Sequence, residues 1–509
     1  MLLLVAVVAA LSSVRGGDVF NADVPFRLRP PPAPPKTPTT GHRKGRFTWA
    51  LFGYGKSRTR YLPVTRDLGP PYDQRWAFRG SVLLEFPPIL GSHSVYLLRN
   101  NGSLYAFGRR TGRLHWRRRL GSLSASSPAY AHNTVFVTIL KRFRGSKGGR
   151  IVAIAADDGH TRWSRRLGSR SESSPLVDRG KVYFGTEDGS VYAVSAHDGS
   201  VLWRYRADGA VKGGLTFDEE RRRLYFGDYG GGVHAIRARN GQRVWHAKTH
   251  SGPLGLGSGS FYSTAAVAYG RVYLGNTNGN VYSYDEDTGR LAWRKRTGNY
   301  VYSSPAVAQV PRGRPTVYVG SYDGRLYALD ARTGRVRWSR RAEGRISGSP
   351  VVIGGLVWYS TLARTTAAVG ARTGRRVYFT HRGGFNPAVS DGQSIYLVGY
   401  SSLFALQPRH ASLAAKRRAL RKAEQRRRLA AQNPFALEPL GVTPATNWAF
   451  RIPPRISSLG QVPPPPRGAP SPRRRSSARS GRSKRKARHR HRRATPRRGA
   501  RAHRRHRKR

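Results

Sequence analysis

Ser303-Ser304-Pro305-Ala306-Val307-Ala308, then Thr316-Val317-Tyr318-Val319-Gly320, Asp323-Gly324, Arg325-Leu326-Tyr327-Ala328-Leu329-Asp330 and finally Thr333-Gly334-Arg335-Val336-Arg337-Trp338: this stretch decides the fold. Its apolar residues alternate, the side-chain period of a strand. Asp323-Gly324 between two such runs signals a tight hairpin, because glycine tolerates positive φ. The stretch reads as a four-stranded antiparallel meander. The same pattern recurs along the chain. A turn glycine at 112, 159, 199, 241, 289, 334 and 374 is followed four residues on by Trp116, Trp163, Trp203, Trp245, Trp293, Trp338 and, in the last copy, Tyr378. The aromatic spacings of 47, 40, 42, 48, 45 and 40 residues give a repeat of short strands, the signature of a β-propeller.

The blades can be counted. After Tyr378 the chain writes Phe385–Val389, Ile395–Leu397 and Leu403–Leu406, three strands with no aromatic partner to follow. Near the start, Gln74–Phe78 is a fourth strand with no preceding three, and Trp76 lies one repeat, 40 residues, before Trp116. Ring closure by the N-terminal strand gives an all-β, eight-bladed propeller over residues 46–408, without free sheet edges. In six copies a glycine (Gly102, Gly149, Gly189, Gly231, Gly279, Gly324) lies 14 residues before the Trp, at the second hairpin. The seventh copy has Arg364 there, which predicts a different hairpin. Trp76, the six later Trp residues and Tyr378 are expected between blades, each burying about 150–250 Å² and contributing roughly 4–6 kcal/mol before entropy.

Charge is the second feature. The formal net charge is +66, and residues 411–509 hold 31 Lys and Arg against two acids. Such a polycation attracts polyanions: anionic lipid or a wall polymer on a secreted protein, nucleic acid on a cytosolic one. Residues 409–432 have helix composition; 433–509, rich in Pro and Arg, cannot form a core and are expected to be disordered. No stacking aromatics interleave the last 39 residues, which weakens a single-strand-binding reading. Residues 1–16 contain the apolar run Leu2–Leu11, too short to span a bilayer and suited to a signal peptide or a membrane-anchor remnant. Residues 17–45, with Pro30–Pro32, Pro34 and Pro35, read as a Pro/Thr-rich linker. The chain has no Cys, so no disulfide or thiol chemistry is open to it. Gly255–Gly259 precedes a strand, where a phosphate cradle needs a helix. The His residues show no zinc-ligand spacing.

The turn motif resembles that of quinoprotein-type propellers with PQQ-like repeats. Their tryptophan-docking motif, Ala-x-Asp-x-x-Thr-Gly-x-x-x-Trp, is met in full by Ala328, Asp330, Thr333, Gly334 and Trp338. Asp285, Thr288, Gly289 and Trp293 meet it with Ser283 for Ala; Ala106, Thr111, Gly112 and Trp116 meet it with Gly108 for Asp. The stretch Trp49–Tyr61 resembles the family's lead-in segment. The rival WD-repeat propellers lack support, since no Trp-Asp dipeptide occurs. The resemblance implies one of two branches. Dehydrogenases hold pyrroloquinoline quinone (PQQ) and Ca²⁺ over the channel; BamB-like proteins use the ring as a scaffold for protein partners. The alcohol-oxidising dehydrogenases cover the quinone with a disulfide between adjacent cysteines, which this chain cannot make. Its repeats are also near minimal length.

These features give as the leading expectation a non-enzymatic, extracytoplasmic scaffold, membrane-anchored or secreted, monomeric and without cofactor. It would serve an envelope protein partner and hold an anionic lipid or wall polymer through its tail. A PQQ-dependent dehydrogenase and a nucleic-acid-associated scaffold stay open as alternatives. One register position, three residues before the Pro of Ser-Ser-Pro, is expected to face the channel. It carries Glu85, Ala125, Glu172, Lys212, Tyr262, Tyr302, Ser347 and Gly384. Glu85, Glu172, Lys212, Tyr262 and Tyr302 form the candidate ligand site. No catalytic or metal-binding residue is assigned.

Overall fold

The structure, a computed structural model, describes residues 17–28, 47–64, 66–249 and 258–409, together with Arg421, Glu424, Gln425 and Arg428. The expected signal segment, most of the stretch expected to be a basic helix and the tail expected to be disordered lie outside the described residues. No helix among the described residues is long and apolar enough to cross a membrane.

Eight antiparallel sheets follow one another as blades. Blade 1 spans 89–119, blade 2 129–166, blade 3 176–206, blade 4 216–248, blade 5 266–296, blade 6 306–341, blade 7 351–380 and blade 8 388–408. Blade 8 takes its outer strand, Tyr72–Arg79, from the N-terminal side, with Ala77 opposite Phe404. The ring is therefore closed as the stray Trp76 requires. Most inner strands are fully buried, as in Val351–Ile353, whereas outer strands such as Leu114–Arg119 and Thr161–Arg166 expose most of their side chains.

The repeat aromatics join the blades. Each Trp ring lies against the turn glycine of the next blade. A Cβ on Gly334, at φ +73°, would sit 2.7 Å from the Trp293 ring. The indole N–H donates to the carbonyl three residues before that glycine, from Trp116 to Ala156 at 3.0 Å and from Trp293 to Ala331 at 3.0 Å. The second-strand tyrosine donates to the same oxygen (Tyr96 to Ala156, 3.0 Å; Tyr273 to Ala331, 3.1 Å). One carbonyl thus uses both lone pairs on one interface.

Two expectations are corrected. Arg364 does not change its hairpin: it adopts φ +61° itself, and its N–H bonds Thr361 O at 3.0 Å, as Gly324 bonds Ser321. The different copy is blade 2. There a longer connection, with Gly145 at φ +88°, replaces the tight turn, and Gly149 has no positive φ. Part of the stretch read as a linker also packs on the ring: Val19–Phe20 adds a fifth strand outside blade 5, and Arg27 pairs with Asp287 at 2.6 Å.

Residues 49–62 coil inside the ring. An inner strand is a sheet edge, and its N–H groups need acceptors. The coil supplies them blade by blade. Trp49 O accepts from Leu90, Ala50 O from Tyr130, Lys56 O from Phe217, Ser57 O from Val267, Thr59 O from Val307 and Arg60 O from Val352, all at 2.8–3.0 Å. So tight a path needs unusual backbone, and Tyr54, Arg58 and Arg60 take φ of 78°, 54° and 53°.

Candidate functional site

An antiparallel meander puts alternate turns at opposite ends of the ring. The upper face carries the connections between blades and the hairpins between second and third strands; the lower face carries the remaining turns. At the upper end of the channel, Ser-Ser-Pro segments lead into the inner strands. Their small side chains bond across blades: Ser304 N–H donates to Ser349 Oγ and Thr264 N–H to Ser304 Oγ, both at 2.9 Å, while Ser349 N–H donates to Asn386 Oδ1 at 3.3 Å. This belt fixes the height of the residue two positions earlier in every blade.

Glu85, Glu172, Lys212, Tyr262 and Tyr302 all line one cavity of about 40 Å³, with Ser347 beside them and Phe52 of the coil among the lining residues. Ala125 and Gly384, at the same register position, do not line it. The repeat Trp residues lie between blades, outside this cavity.

Lys212 is the hub. Its Nζ lies 3.0 Å from Glu172 Oε1 and 3.3 Å from Glu187 Oε1, and 5.1 Å from the centre of the Tyr229 ring. Tyr262 OH donates to the other Glu172 oxygen at 3.4 Å. Burial pushes the Glu172 carboxyl above its ordinary range; Lys212 partly offsets this and Glu187 adds to it. Burial opposes the charge on Lys212, but its bond to Glu172 and the attraction of both carboxylates hold its pKa above the usual value. Burial also raises Glu85, which accepts from Asn100 Nδ2 at 3.0 Å. The Tyr262 phenol is pushed far up, first by burial and then by Glu85 and Glu172, so it stays a donor. From this hub an arc of aromatic rings runs outward: Tyr262 to Tyr302 at 5.8 Å, Tyr302 to Tyr322 at 5.0 Å, and Tyr300, half exposed, 6.0 Å from Tyr302.

The register reading missed Glu187, Tyr229 and Tyr322. A second register would have found them. Each lies two residues before its hairpin glycine, at 189, 231 and 324, so this position forms the next tier of the mouth.

A family model described as outer membrane protein assembly factor BamB matches residues 100–256, 231–311 and 277–436. The chain belongs to this PQQ-like repeat propeller family. Among curated proteins none matches its sequence. Solved structures similar to it include BamB from Moraxella catarrhalis, 18% identical, covering 66% of this chain and 100% of that one with a TM-score of 0.53. A europium-containing methanol dehydrogenase is 15% identical over 71% of this chain and 98% of that one, TM-score 0.59. The quinohemoprotein alcohol dehydrogenase of Comamonas testosteroni is 15% identical over 73% and 82%, TM-score 0.59. At such identities the likeness is one of fold.

The family's quinone and calcium can be tested against this mouth. Ligand and cofactor pockets span about 300–1,000 Å³, far above the 40 Å³ here. Calcium takes about six to eight oxygen ligands with clustered carboxylates. Among the described residues no three His, Asp or Glu side chains stand close enough to hold a metal, and Glu172 is engaged by Lys212. The residues at the upper mouth do not fit a quinone–calcium pair.

Proposed function

We propose that this protein is a non-enzymatic propeller scaffold of the cell exterior, whose upper mouth grips a protein partner and whose basic tail holds an anionic lipid or wall polymer. The observation that carries this reading is the state of the mouth. Its charged groups already satisfy one another, Lys212 with Glu172 and Glu187. The space between them, about 40 Å³, is far smaller than the roughly 300–1,000 Å³ of an ordinary ligand pocket. Such a network suits docking of a polar group against a fixed frame. The Tyr302–Tyr322 arc extends the frame with amphipathic rings, a surface type enriched where proteins bind proteins. Membership of a family whose model is described as an assembly factor supports the same reading.

The test is capture of partners from the source cells by the full chain and by Glu172→Gln/Lys212→Met, washed at a salt concentration that suppresses tail contacts. We expect a partner retained by the first and lost by the second, with the chain in the envelope fraction. Equal capture by both would reject the mouth as the docking site. Incubation with the quinone and Ca²⁺ followed by a dye-linked oxidation assay is expected to give no substrate-dependent turnover; turnover would reject the non-enzymatic reading.

A further inference from the structure

The upper face of blades 6–8 carries a surface beyond the mouth. Hairpins there bond the connection that precedes them: Tyr322 N–H donates to Tyr300 O and Leu362 N–H to Arg345 O, both at 2.9 Å. Tyr322 OH reaches the next connection, donating to Ser347 Oγ at 3.3 Å. The Arg364 guanidinium lies over the Tyr400 ring of blade 8, 4.2 Å from its centre. Tyr300, Tyr322, Arg345, Leu362, Arg364 and Tyr400 therefore run as one crescent around three neighbouring blades. Tyr300, Leu362 and Tyr400 are 50%, 38% and 40% exposed. Single exposed apolar residues need no explanation, but a contiguous set marks a surface made to be covered.

Arg364 is the informative member. Five other blades place a glycine at its hairpin position, Gly102, Gly189, Gly231, Gly279 and Gly324, with φ of 78–85°. Arg364 takes φ +61° there. A non-glycine residue in this region carries a backbone cost, and such costs gather where a side chain has a task. Stacking on Tyr400 fixes the guanidinium plane, while its edge N–H groups stay free to grip a carboxylate in bidentate fashion. Arg345 and Arg364 are both exposed, and neither has a carboxylate partner among the described residues. The carboxylates in the loops that carry the crescent are taken. Asp323 accepts from Gly298 N–H at 2.8 Å and Tyr327 OH at 2.6 Å, and Glu343 pairs with Arg376 at 2.6 Å. The crescent thus offers rings, one aliphatic side chain and two cations. Tyr and Arg are the residue types enriched where proteins bind proteins. Two cations are too few for a nucleic-acid backbone, whose binding sums many phosphate contacts.

We infer that this crescent docks an acidic segment of a protein partner, with Arg345 and Arg364 pairing with its carboxylates and Tyr300, Leu362 and Tyr400 covering its apolar side chains. The inference uses the same face as the function proposed above but does not rest on the Lys212 network.

A site-resolved titration of the full chain tests this. Because the chain has no Cys, one reporter can be placed cleanly. Ala363→Cys, exposed between Leu362 and Arg364, carries an environment-sensitive dye; Gln309→Cys, exposed on the lower face, is the control. The probe is a synthetic peptide of repeated Glu-Glu-Leu-Tyr units at physiological ionic strength. We expect a saturable response at position 363 and none at position 309. The Gln-Gln-Leu-Tyr peptide and a single-stranded oligonucleotide of equal charge should give none at either. Arg345→Gln/Arg364→Gly should weaken the response about tenfold, two exposed ion pairs together; Arg364→Gly keeps the hairpin of the other blades. Glu172→Gln/Lys212→Met should leave it unchanged. No response at position 363, an equal one at position 309 or from the oligonucleotide, or one untouched by the arginine substitutions overturns the inference. Loss of the response in Glu172→Gln/Lys212→Met assigns the peptide to the mouth and overturns it too.

Discussion

At the residue scale, the informative position is the one where the repeat breaks its own rule. Seven turn glycines receive the Trp of the preceding blade, from Gly112 against Trp76 to Gly374 against Trp338. At the eighth interface the place four residues before Trp76 is Tyr72. There Tyr378 replaces Trp and meets Tyr72 edge-on at 5.1 Å. An indole has no room where the glycine is missing, so the two departures compensate. Tyr378→Trp should lose about 1–3 kcal/mol by overpacking. Tyr72→Gly/Tyr378→Trp should lose less than the two single changes added, with at least about 1 kcal/mol of favourable coupling in urea unfolding. The repeat showed the Tyr at 378; why it is Tyr depended on which strand closes the ring.

At the scale of elements, the coil of residues 49–62 is the part least visible beforehand. It lacks strand periodicity, and only the family resemblance marked it. Its two arginines differ. Arg58 is fully buried and donates to four carbonyls, those of Phe52, Ser174 at 3.3 Å, Pro175 at 3.1 Å and Leu215 at 3.0 Å. Arg60 lies 3.9 Å over the Phe52 ring, and its Nε and Nη2 are buried without partners. Both guanidinium groups are lowered to about 9, Arg58 by burial and Arg60 by burial first and then by Arg58. Opposite outcomes follow. Arg58→Ala should cost about 3–5 kcal/mol, because it strands carbonyls around the channel. Arg60→Met keeps the contact with Phe52 and removes an uncompensated charge, so it should leave stability unchanged or raise it by about 1–4 kcal/mol. Chemical denaturation of the two variants reads both signs.

At the scale of the whole molecule, closure rests on one pairing, Tyr72–Arg79 against Ser402–Pro408. It joins residues more than three hundred apart, so its loss would expose two sheet edges at once. A staple there constrains the unfolded chain far more than one within a blade. Asp73→Cys/Gln407→Cys, which are register partners, should stabilise by up to about 6 kcal/mol on chain-entropy grounds, and Lys181→Cys/Ser195→Cys, partners in blade 3, by about 3 kcal/mol. Thermal midpoints before and after reduction give the comparison. Cationic outer strands such as Leu114–Arg119 and Thr161–Arg166 face solvent around the rim, where charge discourages edge-to-edge association.

The sequence by itself determined the blade, the number of blades, the closing strand and the register that carries Glu85, Glu172, Lys212, Tyr262 and Tyr302 to one end of the channel. It could do so because a repeat converts local alternation and turn chemistry into position around a ring. Tertiary structure alone decided what those positions meet. Lys212 sits between two carboxylates because Glu187 approaches from a hairpin of another register. The channel is filled because an aperiodic coil satisfies the inner-strand N–H groups one blade at a time. Contacts between segments of different period, distant in sequence, leave no trace in either pattern alone, which is why they became legible only in the folded chain.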